Sequence, residues 1–407
     1  MPLSFRDKSN FIREHVIVLL LLINSFSWYA MAQLIVAKLT DKIGGDYYAS
    51  LCLKSAFPLS IIISALIGAV FLSKVRKTSV LYICSLFGIV ASLFPAAPIF
   101  DSFLGTIIVA AVLGASLGLG MPILLGYFAE SIPIENRGRI SGVTFLMVTA
   151  TAPLILTTVS IPSPLLSALF LAFWRSWSIP LLLVSSKKIE PESLYQRTVP
   201  FVSIFRDRTF ALYFLSWFLF SMVNSLEALI LSPHFGEFSF AMNIVEPVIA
   251  GVSALIGGIL ADRIGRKIVV FGFVSIGVAY AILGIAPYLL ISWFVYVYFI
   301  IDGFALGLVW MMFTIVIWGE IARHNIEKYY AVGEIPLFLT DTISPLFAPL
   351  IPETSTFSVA AFFLFIAVVP LLYAPETLPE RKIKQRQIQT YTQEAIKLKQ
   401  KTEQKQK

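Results

Sequence analysis

Residues 258–267 read Gly258-Ile-Leu-Ala-Asp262-Arg263-Ile-Gly265-Arg266-Lys267. One acid and three bases sit between two apolar runs, at about 240 to 261 and 268 to 288. Each run has about the 20 residues a helix needs to cross a bilayer. A stretch of the same form, GAVFLSKVRK from Gly68 to Lys77, follows an earlier apolar run at 48 to 73. Glycine comes first and Arg-Lys last in both. Further along each half, AESIPIENRGR and GEIARHNIEKY place Glu130 opposite Glu320. Paired charged loops at matching places predict a duplicated chain.

Working outward gives six apolar runs per half. The first set lies at 14 to 36, 48 to 73, 79 to 98, 103 to 129, 138 to 160 and 163 to 184. The second lies at 209 to 232, 240 to 261, 268 to 288, 290 to 319, 329 to 350 and 355 to 374. The predicted organisation is an N-terminal six-helix half at 1–184, a cytoplasmic linker at 185–208, a C-terminal half at 209–374 and a basic cytoplasmic tail at 375–407. The fold class is therefore an all-α membrane protein of about twelve helices in two pseudo-symmetric bundles. Composition agrees: 57% of the 407 residues are hydrophobic and 14% charged, against about 25% charged in soluble domains, and mean hydropathy is +0.83.

The net charge of +7 does not imply a nucleic-acid partner. Nine Lys and Arg after residue 380 stand against Glu394 and Glu403, so the tail carries the whole excess. A basic stretch after a membrane helix is expected to lie against anionic lipid. The remaining bases crowd alternate loops: Lys74, Arg76 and Lys77; Arg137 and Arg139; Lys187, Lys188, Arg206 and Arg208; Arg263, Arg266 and Lys267; Arg323 and Lys328. Lys38 and Lys42 depart from the pattern. By the positive-inside rule both termini are cytoplasmic, in a multi-pass protein of the cell membrane. The charged arm before the first run resembles a signal peptide, but the run is too long for one and shows no small-residue cleavage site, so it is read as helix 1. Cys52 and Cys84 fall near opposite faces of this layout and are not expected to pair or bind metal.

The 258–267 segment resembles the signature loop of the major facilitator superfamily, in the place where that family's second half carries it. The first-half copy departs from the pattern, with Leu72 in place of the acid and Val75 in place of the second glycine. Glu130-Ser-Ile-Pro133-Ile-Glu-Asn-Arg137-Gly138, Pro191-Glu192-Ser193 and Pro375-Glu376-Thr377 resemble segments of its sugar-porter branch. The resemblance implies that helices 1, 4, 7 and 10 line a central cavity. It also implies a cytoplasmic gate of Glu130, Arg137, Gly258, Asp262, Arg263, Gly265, Arg266 and Glu320, in which acids and bases at helix junctions pair in one conformation and part in another.

Ionisable groups at membrane depth cost about 2.5 to 3.5 kcal/mol each even on insertion scales, so each calls for a partner, a wet cavity or a function. Asp302, near the midpoint of helix 10 beside Gly303, is the first choice for both proton exchange and the cavity; a structural acid satisfied by a hydroxyl or by Arg175 is the alternative. Asn224 and Glu227 share a face of helix 7, and Asn24 and Trp28 a face of helix 1. All four are candidates for holding a polar solute, against simple solvation or packing. Glu334 and Asp341, seven apart on helix 11, are further proton-coupling candidates, against packing on a neighbour's polar group. Arg175, in FWRSW, has no assigned role.

Enzyme chemistry finds little footing: there are three histidines, no Gly-rich phosphate loop and no metal-ligand cluster, so no cofactor or metal is expected. The expected function is secondary active transport of a small solute by alternating access, coupled to protons and carried out by a monomer. Symport of a sugar or other polar metabolite comes first, proton-driven export of cationic or amphipathic compounds second, and a membrane sensor that does not transport is the rival from another class.

Overall fold

The computed structural model describes residues 5–185, 200–230, 241–289, 294–351, 353–379 and 388. Pro191-Glu192-Ser193, Lys187, Lys188, His234 and the basic tail from 380, apart from Ile388, lie outside them. In hydrocarbon every peptide group must be bonded within the chain, which leaves helices as the solution for such a sequence; no strand occurs among the described residues.

Eleven helices among those residues are long and apolar enough to cross a membrane. They are α1 (Arg13–Ile43), α2 (Tyr47–Lys74), α3 (Lys77–Ala96), α4 (Phe103–Ser131), α5 (Ile134–Thr158), α6 (Pro164–Val184), α7 (Arg208–Glu227), α8 (Met242–Ile264), α9 (Arg266–Gly284), α10 (Val295–Ile321) and α12 (Thr356–Tyr373). The remaining position, α11, is two helices, Ile326–Gly333 and Ile335–Phe347, that meet at Glu334. The sequence predicts one continuous helix there. Pro336 lies in the first turn of the second segment, where it supplies no N–H to the preceding turn.

The duplication appears as repeated pairings. α2 packs on α4 as α8 packs on α10, and α3 on α6 as α9 on α12. The two bundles meet along α5 with α8 and α2 with α11. Small residues make the first seam close: a Cβ on Gly138 would lie 2.6 Å from the carbonyl oxygen of Gly258, and one on Gly142 would strike that of Ala254. Such stripes let membrane helices approach to backbone contact. Inside the second bundle, Trp217 of α7 stacks on Phe313 of α10 with ring centroids 4.9 Å apart.

Candidate functional site

Three groupings of polar residues lie within this apolar frame. The first closes one end of the molecule. Tyr127 donates to Glu14 Oε2 at 2.9 Å, so α1 begins beside the end of α4, and the charged loops gather at that same end. Asp262, ending α8, accepts from the backbone N–H groups of Gly138 and Arg139 at 2.9 Å each. These N–H groups open a helix of the other bundle and have no partner within it, so the carboxylate caps that helix across the seam. Arg266 donates to Asp262 Oδ1 at 2.7 Å, to Glu320 Oε1 at 2.7 Å and to the Ile134 carbonyl at 2.7 Å. Arg137 spans the same seam from the other side, donating to the Ala129 and Ile132 carbonyls and to that of Gly319 at 3.2 Å.

The loop carrying Arg266 is shaped by Gly265, whose φ of 115° is one that side chains rarely adopt. Glu376 then accepts from the N–H groups of Arg266 and Lys267 at 2.8 and 3.1 Å, and Thr377 donates to Glu320 at 2.6 Å. Pro375-Glu376-Thr377 thus clamps the 258–267 loop. Arg263, named with this group from sequence, is exposed and stands apart from the bonds just described. Two residues the sequence reading did not assign to the gate join instead: Lys77 of α3 contacts Glu130 at 2.5 Å and Glu327 of α11 at 2.6 Å. The Arg-Lys end of the first repeat was the available signal for Lys77; nothing in the sequence singled out Glu327.

The second grouping lines a cavity of about 330 Å³ between the bundles, toward the other end. Tyr29, Gln33, Thr40 and Asp41 come from α1, Lys54 from α2, Ser225 from α7, and Asp341 and Ser344 from α11. Ser225 donates to Asp341 Oδ1 at 2.7 Å. Gln33, Asp41 and Lys54 are exposed, Tyr29 and Asp341 half-buried, the gradation of a wet mouth leading to a deeper carboxylate. The walls come from α1, α2, α7 and α11, where the resemblance implied α1, α4, α7 and α10. The bundles are bound together at the ionic end, and beside this space Tyr47 of α2 donates to the Pro345 carbonyl of α11 at 2.9 Å.

The third grouping is acidic and lies within the second bundle. Asp302 of α10 and Glu246 of α8 bring their carboxyl groups beside each other. Gly303 permits this approach, since a Cβ there would lie 2.8 Å from the Glu246 carbonyl. Asp302 Oδ1 is buried without a hydrogen-bond partner among the described residues. Glu227 accepts from Tyr280 of α9 and acts electrostatically on both other acids.

The sequence candidates are therefore dispersed. Asp341 lines the cavity; Asp302 and Glu227 do not, and the half-buried Asn224 is not among its lining residues. Glu334 is buried at the break in α11 beside Trp318 and, with Asp341, acts electrostatically on Tyr29. Asn24 and Trp28 point the other way, into packing with α3 and α6. Asn24 donates to the Trp174 carbonyl at 2.6 Å, Trp28 donates to Ser92 at 2.9 Å, and Arg175 lies over the Trp28 ring at 5.3 Å. Periodicity put each pair on one face but not on which side of the helix the cavity would form.

No protein-family model matches the sequence, and no curated protein matches it. Among solved structures the chain is similar to the proton:xylose symporter XylE bound to 6-bromo-6-deoxy-D-glucose, with TM-score 0.67 and 15% identity over 91% of this chain and 97% of that one. It is also similar to the human organic anion transporter MFSD10 (TETRAN), with TM-score 0.65 and 14% identity over 89% of this chain and 99% of that one.

Proposed function

The chain has the major facilitator fold, and from that premise we propose that it is a secondary transporter of a small polar solute working by alternating access. One observation carries this reading: at one end the bundles are locked by the buried Lys77–Glu327 ion pair and by the bonds of Asp262, Arg266 and Arg137 to backbone across the seam, while a polar cavity lies between them toward the other. A molecule that exposes its central site to one side at a time needs both features, and breaking the lock as the far end closes would present the cavity to the opposite side.

The locked end is the cytoplasmic one by the distribution of Lys and Arg, which puts both termini in the cytoplasm and the protein in the cell membrane. The mixed lining of amide, hydroxyl, phenol and opposite charges suits a polar uncharged or zwitterionic solute, with a sugar first. Transport against a gradient draws on protons. Asp302 with Glu246 is the coupling site in this reading, because two adjacent buried carboxyl groups with no room for two charges suit the uptake and release of a proton. Asp341 in the cavity wall and Glu334, buried seven residues earlier at the break in α11, are the further proton carriers of this reading.

The test is uptake by the purified protein in proteoliposomes, using a panel of labelled sugars, polyols and zwitterions under an imposed pH gradient. Accumulation that vanishes when the gradient is collapsed supports the reading. Saturable binding without flux for every solute bound would replace the transporter with a sensor.

A further inference from the structure

A second cavity, of about 290 Å³, lies between α7, α9, α12 and the end of α11 and shares no lining residue with the one between the bundles. Ser225 and Glu227 explain the separation. They are two apart on α7 and so face different sides of it, Ser225 toward the first cavity and Glu227 into the second. The wall is aromatic and aliphatic, with Phe218, Met222, Phe347, Ala360 and Phe363 prominent. Phe347 and Phe363 are 45% and 42% exposed, which places the mouth on the outer face of the bundle, toward lipid.

Glu227 is the one charged side chain among the lining residues, and Tyr280 binds it there. Behind it stand Glu246 and Asp302. Among the described residues no Lys or Arg acts on any of these three acids. Glu246 and Asp302 face each other, whereas Glu227 faces an apolar chamber. A neutral apolar ligand would fill that chamber only with Glu227 protonated; an anion would add repulsion. A hydrophobic cation fills the space and supplies the missing charge, and the surrounding rings favour an onium head. A volume at the low end for ligand pockets selects a compact one.

We propose that this lateral pocket binds an amphipathic organic cation, entering from the bilayer with its charged head against Glu227. The probe is tritiated benzyltrimethylammonium, whose charge does not titrate, measured by equilibrium dialysis against the purified full chain. Glu227→Gln keeps the shape and removes the charge, and Ala360→Phe fills the pocket and keeps the charge. Each should weaken binding by about tenfold or more, with thermal unfolding confirming that both variants are folded. Neopentylbenzene, the uncharged isostere, should not displace the probe from the wild type. Wild-type affinity in both variants overturns the proposal. If Asp341→Asn alone abolishes binding, the cation occupies the cavity between the bundles; the lateral site is then refuted while the transport reading stands.

Discussion

Lys77 reaches from the first bundle to Glu327 of the second, Nζ to Oε1 2.6 Å, with side chains 1% and 3% exposed. At that burial the pair joins the bundles, and removing one partner strands the other's charge. Lys77→Met should destabilise the arrangement closed at this end by about 3 to 5 kcal/mol, the usual effect of breaking a buried pair. Pulsed electron–electron resonance between labels at the exposed positions 76 and 323 should show longer distances than in the wild type. An unchanged distribution would remove Lys77 from the lock. Glu327→Gln, which keeps a hydrogen-bonding group, should shift the distances less.

Gly142→Leu addresses the neutral part of the same closure. A Cβ at this position already meets the Ala254 carbonyl and lies 2.9 Å from Leu255 Cα, so a larger side chain must force α5 from α8. Overpacking of this kind costs about 1 to 3 kcal/mol. The variant should populate the form open at the ionic end and lose uptake while remaining folded by thermal unfolding. Wild-type uptake would mean the seam does not need to close at Gly142.

Arg266 offers a chemical test of the lock. Its guanidinium holds Asp262, Glu320 and the Ile134 carbonyl together, a fork that an ammonium cannot reproduce. Arg266→Lys should therefore behave nearly as Arg266→Met in the label-distance measurement. Full recovery by lysine would reduce the role to charge alone.

How much of this was legible in the sequence follows from what kind of physics fixes each feature. Span number and the paired charged loops come from hydropathy and spacing, which act locally, and Asp262, Arg266, Glu320 and Arg137 could be found that way. Lys77 with Glu327, and Ser225 with Asp341, are bonds between residues far apart in the chain; they depend on which helix faces which. The break in α11 was also hidden, because Glu334 and Pro336 can sit in a continuous helix or interrupt one. Asn24 and Trp28 show the same limit: their common face is periodic, but Arg175 and Ser92 decide what that face meets.

Asp302→Asn tests the coupling assignment. The amide keeps a donor and an acceptor for Glu246 and cannot release a proton, so the local structure should survive while the energetic link is lost. Gradient-driven accumulation should fall to equilibration and solute exchange should persist. Accumulation equal to the wild type would exclude Asp302 from coupling; loss of exchange as well would give it a structural or binding role instead.

The cavity between the bundles makes its own prediction through Asp341. Ser225 donates to its Oδ1, and an asparagine oxygen can accept the same bond, so Asp341→Asn changes charge more than shape. If the carboxylate binds solute equally in the ground and transition states, KM should rise by about tenfold with kcat nearly unchanged. Lys54→Ala, at the exposed mouth, removes a solvated charge and should raise KM far less, since exposed pairs contribute about 0 to 1 kcal/mol. The contrast between a deep and a shallow residue separates a binding cavity from a mere gap between helices. Equal KM in the wild type, Asp341→Asn and Ser225→Ala would mean the solute passes elsewhere, and the reading of this space as the transport site would fall.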